Sequence, residues 1–229
     1  MVIAVIPAYN EATRIDAVVR DALKFVDRVI VADDGSDDGT AEIAAKAGAH
    51  VVRHAENCGP GAATMTGIEA ARRMGAAIIV TLDADEQHDP KDIPAMIEPL
   101  KSGDVDVVFA NRFAPFDSAH GRGGNTIPFI RRVFNTIGNI VTLFATGMWV
   151  SDSQCGYKAF GAKAAHELKL KTSGFEFCTE IVREAAAHHW RIRQVPVKVI
   201  YSEYTLAKGQ SFANGMRTAF KILLRSFLR

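Results

Sequence analysis

Five short apolar runs, four of them followed directly by a stretch of helical periodicity, leave this chain few folds to choose from. Val2–Ile6, Arg28–Ala32, His50–Arg53, Ala77–Leu82 and Val105–Ala110 read as strands. Behind the first, Ile15, Val18, Val19, Ala22 and Leu23 recur at helix spacing. Behind the second, the turn Asp33-Asp34-Gly35-Ser36-Asp37-Asp38-Gly39-Thr40 opens a helix to about Ala47. Gly59–Met74 and Asp92–Lys101 supply the next two helices. Repeated βα units predict a mostly parallel, doubly wound α/β sheet with helices on both faces. At 229 residues the chain suits one sizeable domain.

Beyond Phe113 the pattern loosens. Pro115–Thr126, rich in Gly, Asp, Arg and His, reads as a long functional loop with Gly121, Gly123 and Gly124 giving it freedom. Helices are expected over Ile127–Thr146 and Phe175–His189, a strand over Ile192–Tyr201 and a closing helix over Phe212–Leu228. Val133–Val150, interrupted by Asn135 and Asn139, is too broken for a membrane span and reads as a helix or loop with one greasy face. The opening Met1–Pro7 lacks a basic leader and reads as a buried strand. A net charge of +1 gives no bulk attraction for nucleic acid. Cys58, Cys155 and Cys178 form no metal or disulfide spacing, which predicts three small buried hydrophobes in a reducing cytosol.

The chemistry gathers behind the strands. Ala77–Leu82 delivers Asp83-Ala84-Asp85-Glu86-Gln87-His88, two carboxylates at i and i+2 on the carboxyl end of a strand. That edge binds ligands in open α/β sheets, and paired hard oxygens suit Mg²⁺ or Mn²⁺ bridging to phosphates. An Asp-x-Asp alone is equally a solvated turn. Three further polar clusters follow strands on the same expected edge: Pro7-Ala8-Tyr9-Asn10-Glu11, Asp33-Asp34-Gly35-Ser36 and Asn111-Arg112-Phe113. Together they offer an aromatic face, carboxylates for a base or ribose, a metal site and an arginine for phosphate. A nucleoside diphosphate fits all four, which predicts a nucleotide-binding enzyme.

Pro7-Ala8-Tyr9-Asn10-Glu11, the turn from Asp33 to Thr40 and Asp83-Ala84-Asp85-Glu86-Gln87-His88-Asp89-Pro90 resemble the motifs of family 2 glycosyltransferases with the GT-A fold, a Rossmann-like sheet that binds nucleotide-diphospho-sugars. Asp152-Ser153-Gln154-Cys155-Gly156-Tyr157-Lys158-Ala159-Phe160, Phe175-Glu176-Phe177-Cys178-Thr179-Glu180, Val195-Pro196-Val197, Tyr201 and Lys208-Gly209-Gln210-Ser211 are similar to segments of the dolichyl- and polyprenyl-phosphate mannose and glucose synthases. The likeness is collinear over nearly the whole chain. It implies a catalytic domain over residues 1–211 and a C-terminal helix over 212–229. It implies that Pro7, Tyr9, Glu11, Ala32 and Asp34 hold base and ribose. Asp83, Ala84 and Asp85 would then bracket metal and diphosphate, with Gln87 a further ligand. Arg112 meets a donor or acceptor phosphate, and Arg131 or Arg132, with Lys208, neutralises phosphates in the closed complex. Two departures stand out: Asn57-Cys58-Gly59-Pro60-Gly61 lacks the family's lysine, and Glu86 replaces a usual glycine, adding charge near the cation or pointing to water.

The implied reaction is metal-dependent, inverting transfer of a hexose from a nucleotide sugar to a polyprenyl or dolichyl phosphate on the cytoplasmic membrane face. GDP-mannose is the favoured donor and UDP-glucose follows closely. A phosphate nucleophile is already anionic, so it needs positioning more than deprotonation; a metal and arginines stabilise the departing diphosphate. Asp152 is either a base or acceptor-orienting carboxylate, or a turn cap. His88 is second to the metal motif or a loop residue, and His188 and His189 are expected at solvent. Glu180 reads as an exposed helix charge by default, the alternative being a buried carboxylate near the acceptor site, and Trp149 as core or interfacial packing. Phe212, Met216, Phe220, Leu223, Leu224 and Phe227 oppose Arg217, Lys221, Arg225 and Arg229, a basic amphipathic pattern for a lipid surface or a small membrane subunit. The rivals are a soluble-acceptor transferase of the same fold, a sugar-phosphate nucleotidyltransferase, whose basic glycine-rich first loop is missing, and a non-catalytic binding module.

Overall fold

A computed structural model describes residues 1–115, 117 and 121–200, so Lys208 and the expected helix over 212–229 lie outside the described residues. In chain order the elements are β1 (Val2–Ala8), α1 (Ile15–Ala22), β2 (Arg28–Asp33), α2 (Thr40–Lys46), β3 (His50–Arg53), α3 (Pro60–Arg73) and β4 (Ile78–Thr81). A 3₁₀ turn (Pro90–Asp92) leads into α4 (Ile93–Lys101), then β5 (Val107–Asn111) and α5 (Phe129–Thr146). The remainder comprises β6 (Lys158–Gly161), α6 (Ala162–Glu167), α7 (Phe177–Ala187) and β7 (Ile192–Pro196).

The seven strands form one sheet in the order β3-β2-β1-β4-β6-β5-β7. All pairings are parallel except those of β6, which runs antiparallel to both β4 and β5. The expected parallel sheet is therefore interrupted by one reversed strand that the sequence pattern did not mark. Lys158-Ala159-Phe160-Gly161 is short and opens on a lysine, so it carries no apolar run to recognise.

Each strand divides its side chains between two cores, as the two-residue period of a strand requires. On β1, Ala4, Ile6 and Ala8 meet α1, α2 and α4, while Ile3 and Val5 meet α3, α6 and α7. Gly67 lets α3 lie directly on β1, because a Cβ there would collide with the Val5 side chain. The reversed β6 leaves β1, β2, β4 and β5 pointing the same way, so the loops behind all four open on one edge.

Candidate active site

On one side of that edge the loops after β1 and β2 are laced together by side chains. Asn10 takes a left-handed φ of 54°, which an asparagine tolerates better than most residues. Its N–H donates to Ser36 Oγ (2.9 Å) and its Oδ1 accepts from Asp37 N (3.2 Å). Glu11 N donates to Thr40 Oγ1 (2.9 Å) and Ala12 N to Asp38 Oδ2 (3.0 Å). Tyr9 stands 45% exposed beside this lattice, Glu11 is buried, and Pro7 lies opposite Ala32 in the strand register. An exposed aromatic ring and a buried carboxylate thus stand on one hydrogen-bonded wall.

Asp34 turns inward. Its Oδ1 faces His54 Nδ1 (2.8 Å) and accepts from Cys58 N (2.9 Å), and its Oδ2 accepts from Gly59 N (2.8 Å). The carboxylate therefore anchors the 58–59 loop at the mouth of α3. Asp34, His54 and Cys58 place ligand atoms within 4.8 Å of one another, yet His54 Nε2 is also taken by Thr66 Oγ1 (2.9 Å). The cluster is a hydrogen-bonded knot. Its neighbour Asp33 is fully buried, with Arg53 Nε 3.2 Å from Oδ2 but no hydrogen bond of good angle.

The carboxylates behind β4 occupy the middle. Asp83 keeps 44% of its side chain exposed, and Asp85 Oδ1 accepts from Gln87 N (3.0 Å), closing the loop. Glu86 adopts a φ of 64°, a left-handed conformation that favours glycine, which is the reason a glycine suits this position. Its carboxylate reaches Arg14 Nε at 3.6 Å, so its charge is partly countered. A Cβ on Gly156 would sit 2.6 Å from Asp83 Oδ1; the bare glycine makes the cradle in which that carboxylate rests. Partly exposed hard oxygens held by a narrow loop fit a divalent cation.

His88 is buried beneath the loop and packs against Tyr157, ring centroids 5.0 Å apart. Burial opposes its charge, but the Asp83 carboxylate, the Cys155 sulfur and the Asp85 carboxylate outweigh that and raise it to about 9. Nδ1 lies 3.6 Å from Asp83 Oδ2 and 3.2 Å from the Asp83 main-chain N–H. The first contact suits the imidazolium and the second only a neutral ring, so neutralising Asp83 with a cation favours the second.

The third part joins β5 to the segment after α5. Arg112 Nε donates to Asp152 Oδ2 (2.8 Å), Nη2 to Oδ1 (2.8 Å), and the Arg112 main-chain N–H to Oδ2 (2.9 Å). Asp152 is 0% exposed and Arg112 about one-fifth. With its acceptor directions occupied by a bidentate guanidinium, Asp152 is arranged to aim an arginine rather than to receive a substrate proton. Arg131, half-buried, and Arg132, exposed, sit in the first turn of α5.

Several expectations change. Glu180 is buried, not exposed: Oε2 accepts from Lys171 N, Thr172 N and Thr172 Oγ1, and Oε1 from Arg183 Nη2. Cys58 is exposed, while Cys155 and Cys178 are buried as expected, and burial pushes the Cys178 thiol up to about 11. Trp149 is 52% exposed, which removes the core alternative for it. His188 and His189 are at the surface as expected. Among the residues not singled out beforehand are Arg14, His54 and Asn139. Their roles come from partners distant in sequence, which no local pattern marks.

Three comparisons with known proteins agree with this geometry. The family model described as glycosyl transferase family 2 matches residues 3–167. The UDP-N-acetylglucosamine–dolichyl-phosphate N-acetylglucosaminyltransferase of Methanococcus voltae is 31% identical over 244 residues, covering 98% of this chain and 95% of that protein. The polyprenol monophosphomannose synthase of Mycolicibacterium smegmatis is 25% identical over 234 residues, covering 96% and 84%. Among solved structures, glucosyl-3-phosphoglycerate synthase from Mycobacterium tuberculosis, in complex with Mn²⁺, UDP and glucosyl-3-phosphoglycerate, superposes with a TM-score of 0.72 at 21% identity, covering 99% of this chain and 79% of that one. The sheet and its flanking helices have the GT-A fold.

Proposed function

The chain belongs to glycosyl transferase family 2, and on that footing we propose that it transfers a sugar from a nucleoside diphosphate to a polyprenyl-type lipid phosphate, with inversion. The observation that carries the acceptor class is α5. Its inward face is polar, with Asn135, Asn139 and Thr142 buried, and its outward face carries Phe129 (80% exposed), Ile130, Ile137, Ile140 and Phe144 (81% exposed). A helix that packs against a soluble domain normally turns its apolar stripe inward. This one presents it outward, beside the segment that holds Arg112. That reversal suits an acceptor whose phosphate enters the site and whose hydrocarbon stays in lipid. Both relatives above carry a lipid phosphate in their names.

Tyr9, Glu11, Pro7 and Ala32 serve the base and ribose, with Asp34 holding the floor of that pocket through the 58–59 loop. Asp83 and Asp85, with Ala84 between and Gln87 beyond, would hold Mg²⁺ or Mn²⁺. Such an ion supplies Lewis-acid charge at the departing diphosphate. Arg112, aimed by Asp152, meets a phosphate at the acceptor side, and Arg131 and Arg132 add positive charge near it. The acceptor oxyanion attacks C1 of the sugar as the C1–O bond to the diphosphate breaks. No proton need be removed, consistent with Asp152 committed to Arg112.

The donor is the finer part of the reading. GDP-mannose was the sequence-based expectation; the more similar relative takes UDP-N-acetylglucosamine and the less similar one makes a mannosyl lipid. UDP-N-acetylglucosamine therefore stands first in a donor panel, with GDP-mannose and UDP-glucose beside it. Purified full-length protein with Mg²⁺ or Mn²⁺, each labelled donor and a short polyprenyl phosphate should move label into organic solvent with one of them. No extractable label from any donor overturns the lipid-acceptor reading. Asp85→Ala should abolish metal-dependent donor binding in calorimetry, and unchanged affinity would refute the metal assignment.

A further inference from the structure

The buried face of α5 is built for something more specific than packing. Asn139 Nδ2 donates to the carbonyl of Ser151 (2.7 Å), while its Oδ1 accepts from the main-chain N–H of Ser153 (3.0 Å) and from Ser153 Oγ (2.8 Å). One amide therefore grips the chain immediately before and immediately after Asp152. The assignment of its two ends is fixed by its partners, since a carbonyl needs a donor and an N–H needs an acceptor. Asn135 Nδ2 adds a second bond to the Ser151 carbonyl (3.1 Å), and Gln194 Oε1 accepts from Ser151 N (2.8 Å).

Asn139 is 4% exposed and Asp152 is 0% exposed, so water does not compete for these groups. Buried polar groups of this kind are worth most when fully paired, and a half-broken set leaves costly orphans. The chain of contacts is short: α5 through Asn139 to the main chain of Asp152, and through the Asp152 carboxylate to the Arg112 guanidinium. Nothing else among the described contacts holds both peptides flanking Asp152 at once.

We propose that Asn139 is a positioning residue, clamping the main chain around Asp152 so that the carboxylate keeps its grip on the Arg112 fork and holds the guanidinium in place for the acceptor phosphate. The role of Arg112 rests on the function proposed above; the clamp itself does not. By this account the lipid-facing helix and the phosphate-facing arginine are one mechanical unit, and an acceptor held against α5 meets an arginine already placed.

The test uses the full chain, and its first part needs no substrate. The Arg112 Nε–H signal is assigned in a side-chain ¹H–¹⁵N spectrum by its loss in Arg112→Lys, and its exchange with solvent is measured. Asn139→Ala should speed that exchange at least tenfold. Asn139→Asp, which keeps the acceptor for Ser153 N but sets a carboxylate against the Ser151 carbonyl, should speed it as well, and it serves as the second variant should the alanine fold poorly. Thr142→Val removes neighbouring bonds of the same face to Ser153, Gln154 and Thr179 without touching either peptide beside Asp152, and should leave the exchange at the wild-type rate. In kinetics, Asn139→Ala should lower kcat/KM for the polyprenyl phosphate about tenfold to a hundredfold with donor affinity unchanged, and should add no further loss to Arg112→Lys. Wild-type exchange in both Asn139 variants, equal acceleration in Thr142→Val, or a full additional loss in the Arg112→Lys background overturns the proposal. Failure of wild-type protein to label any lipid overturns the acceptor reading alone and leaves the exchange result standing.

Discussion

Gly156 shows how one missing side chain shapes the centre of the site. Its φ is not in the left-handed range, so alanine suits the backbone; the obstacle is the Asp83 carboxylate, 2.6 Å from where the new methyl would lie. That carboxylate is the end of a partly exposed side chain and can swing aside more cheaply than backbone could. Gly156→Ala should therefore leave the melting temperature within a few degrees while weakening metal-dependent donor binding at least tenfold by calorimetry. A large drop in melting temperature with donor affinity intact would contradict the cradle. At this scale the sequence was legible where a residue's role depends on its own strand: Asp83, Asp85 and Arg112 each follow a recognisable apolar run. It was not legible where the role is burial against a distant partner. Glu180 reads as a solvent charge until the N–H groups of Lys171 and Thr172 are brought to it, and Asn139 looks like an interruption of a greasy helix until Ser151 and Ser153 are in place.

Among elements, the first five strands along the chain were readable, and β6 with its reversed direction was not. The strand's lysine at position 158 is buried, its ammonium bonded to the Cys155 carbonyl and 5.3 Å from the centre of the Phe109 ring. No local pattern announces a buried lysine, because it becomes tolerable only once its neighbours close around it. The edge pair β5 and β7 shows the opposite economy, a surface arginine used to register two strands. Arg191 donates from N and Nε to Asp106 Oδ2 (2.8 and 3.1 Å) and from Nη2 to Oδ1 (3.0 Å), while Asp106 N donates back to Arg191 O (2.9 Å). These bonds hold the Asp106 carboxyl below its usual range. A carboxyl so depressed contributes stability that is present above its unfolded value near 4. That contribution is lost as pH falls from there through the folded value. Asp106→Asn should lower the melting temperature at pH 7, by about 1 kcal/mol or more of stability. The gap from wild type should narrow steadily below pH 4. A gap of constant size across that range would show that the charge contributes nothing.

As a whole molecule the protein closes two cores on either side of its sheet and yet, among the described residues, leaves its two most exposed large apolar side chains, Phe129 and Phe144, on one helix. A greasy face over 133–150 was readable from the sequence, but its direction was not, because direction depends on which stripe finds partners, and here the polar stripe does. Among the described residues no helix is long and apolar enough to cross a membrane. On the lipid-acceptor reading proposed above, α5 offers a surface for contact with lipid, with no acidic residue and with Arg131 and Arg132 in its first turn. A net charge of only +1 gives the molecule little long-range attraction to an anionic bilayer, so on this reading the exposed apolar side chains of α5 orient it. Transferring one such side chain out of water contributes about 1.5–3 kcal/mol, and a buried carboxylate in its place costs more. Ile137→Asp and Phe144→Asp, each on the outward stripe and away from the Asn139 clamp, should cut binding to phosphatidylglycerol-containing vesicles about tenfold or more in sedimentation. They should raise KM for a long-chain polyprenyl phosphate in such vesicles while leaving donor affinity and melting temperature unchanged. With a short, water-dispersed polyprenyl phosphate the same variants should work nearly as well as wild type, because the phosphate end of the site is intact. Equal loss on both acceptors would place the damage inside the site and remove α5 from the membrane surface.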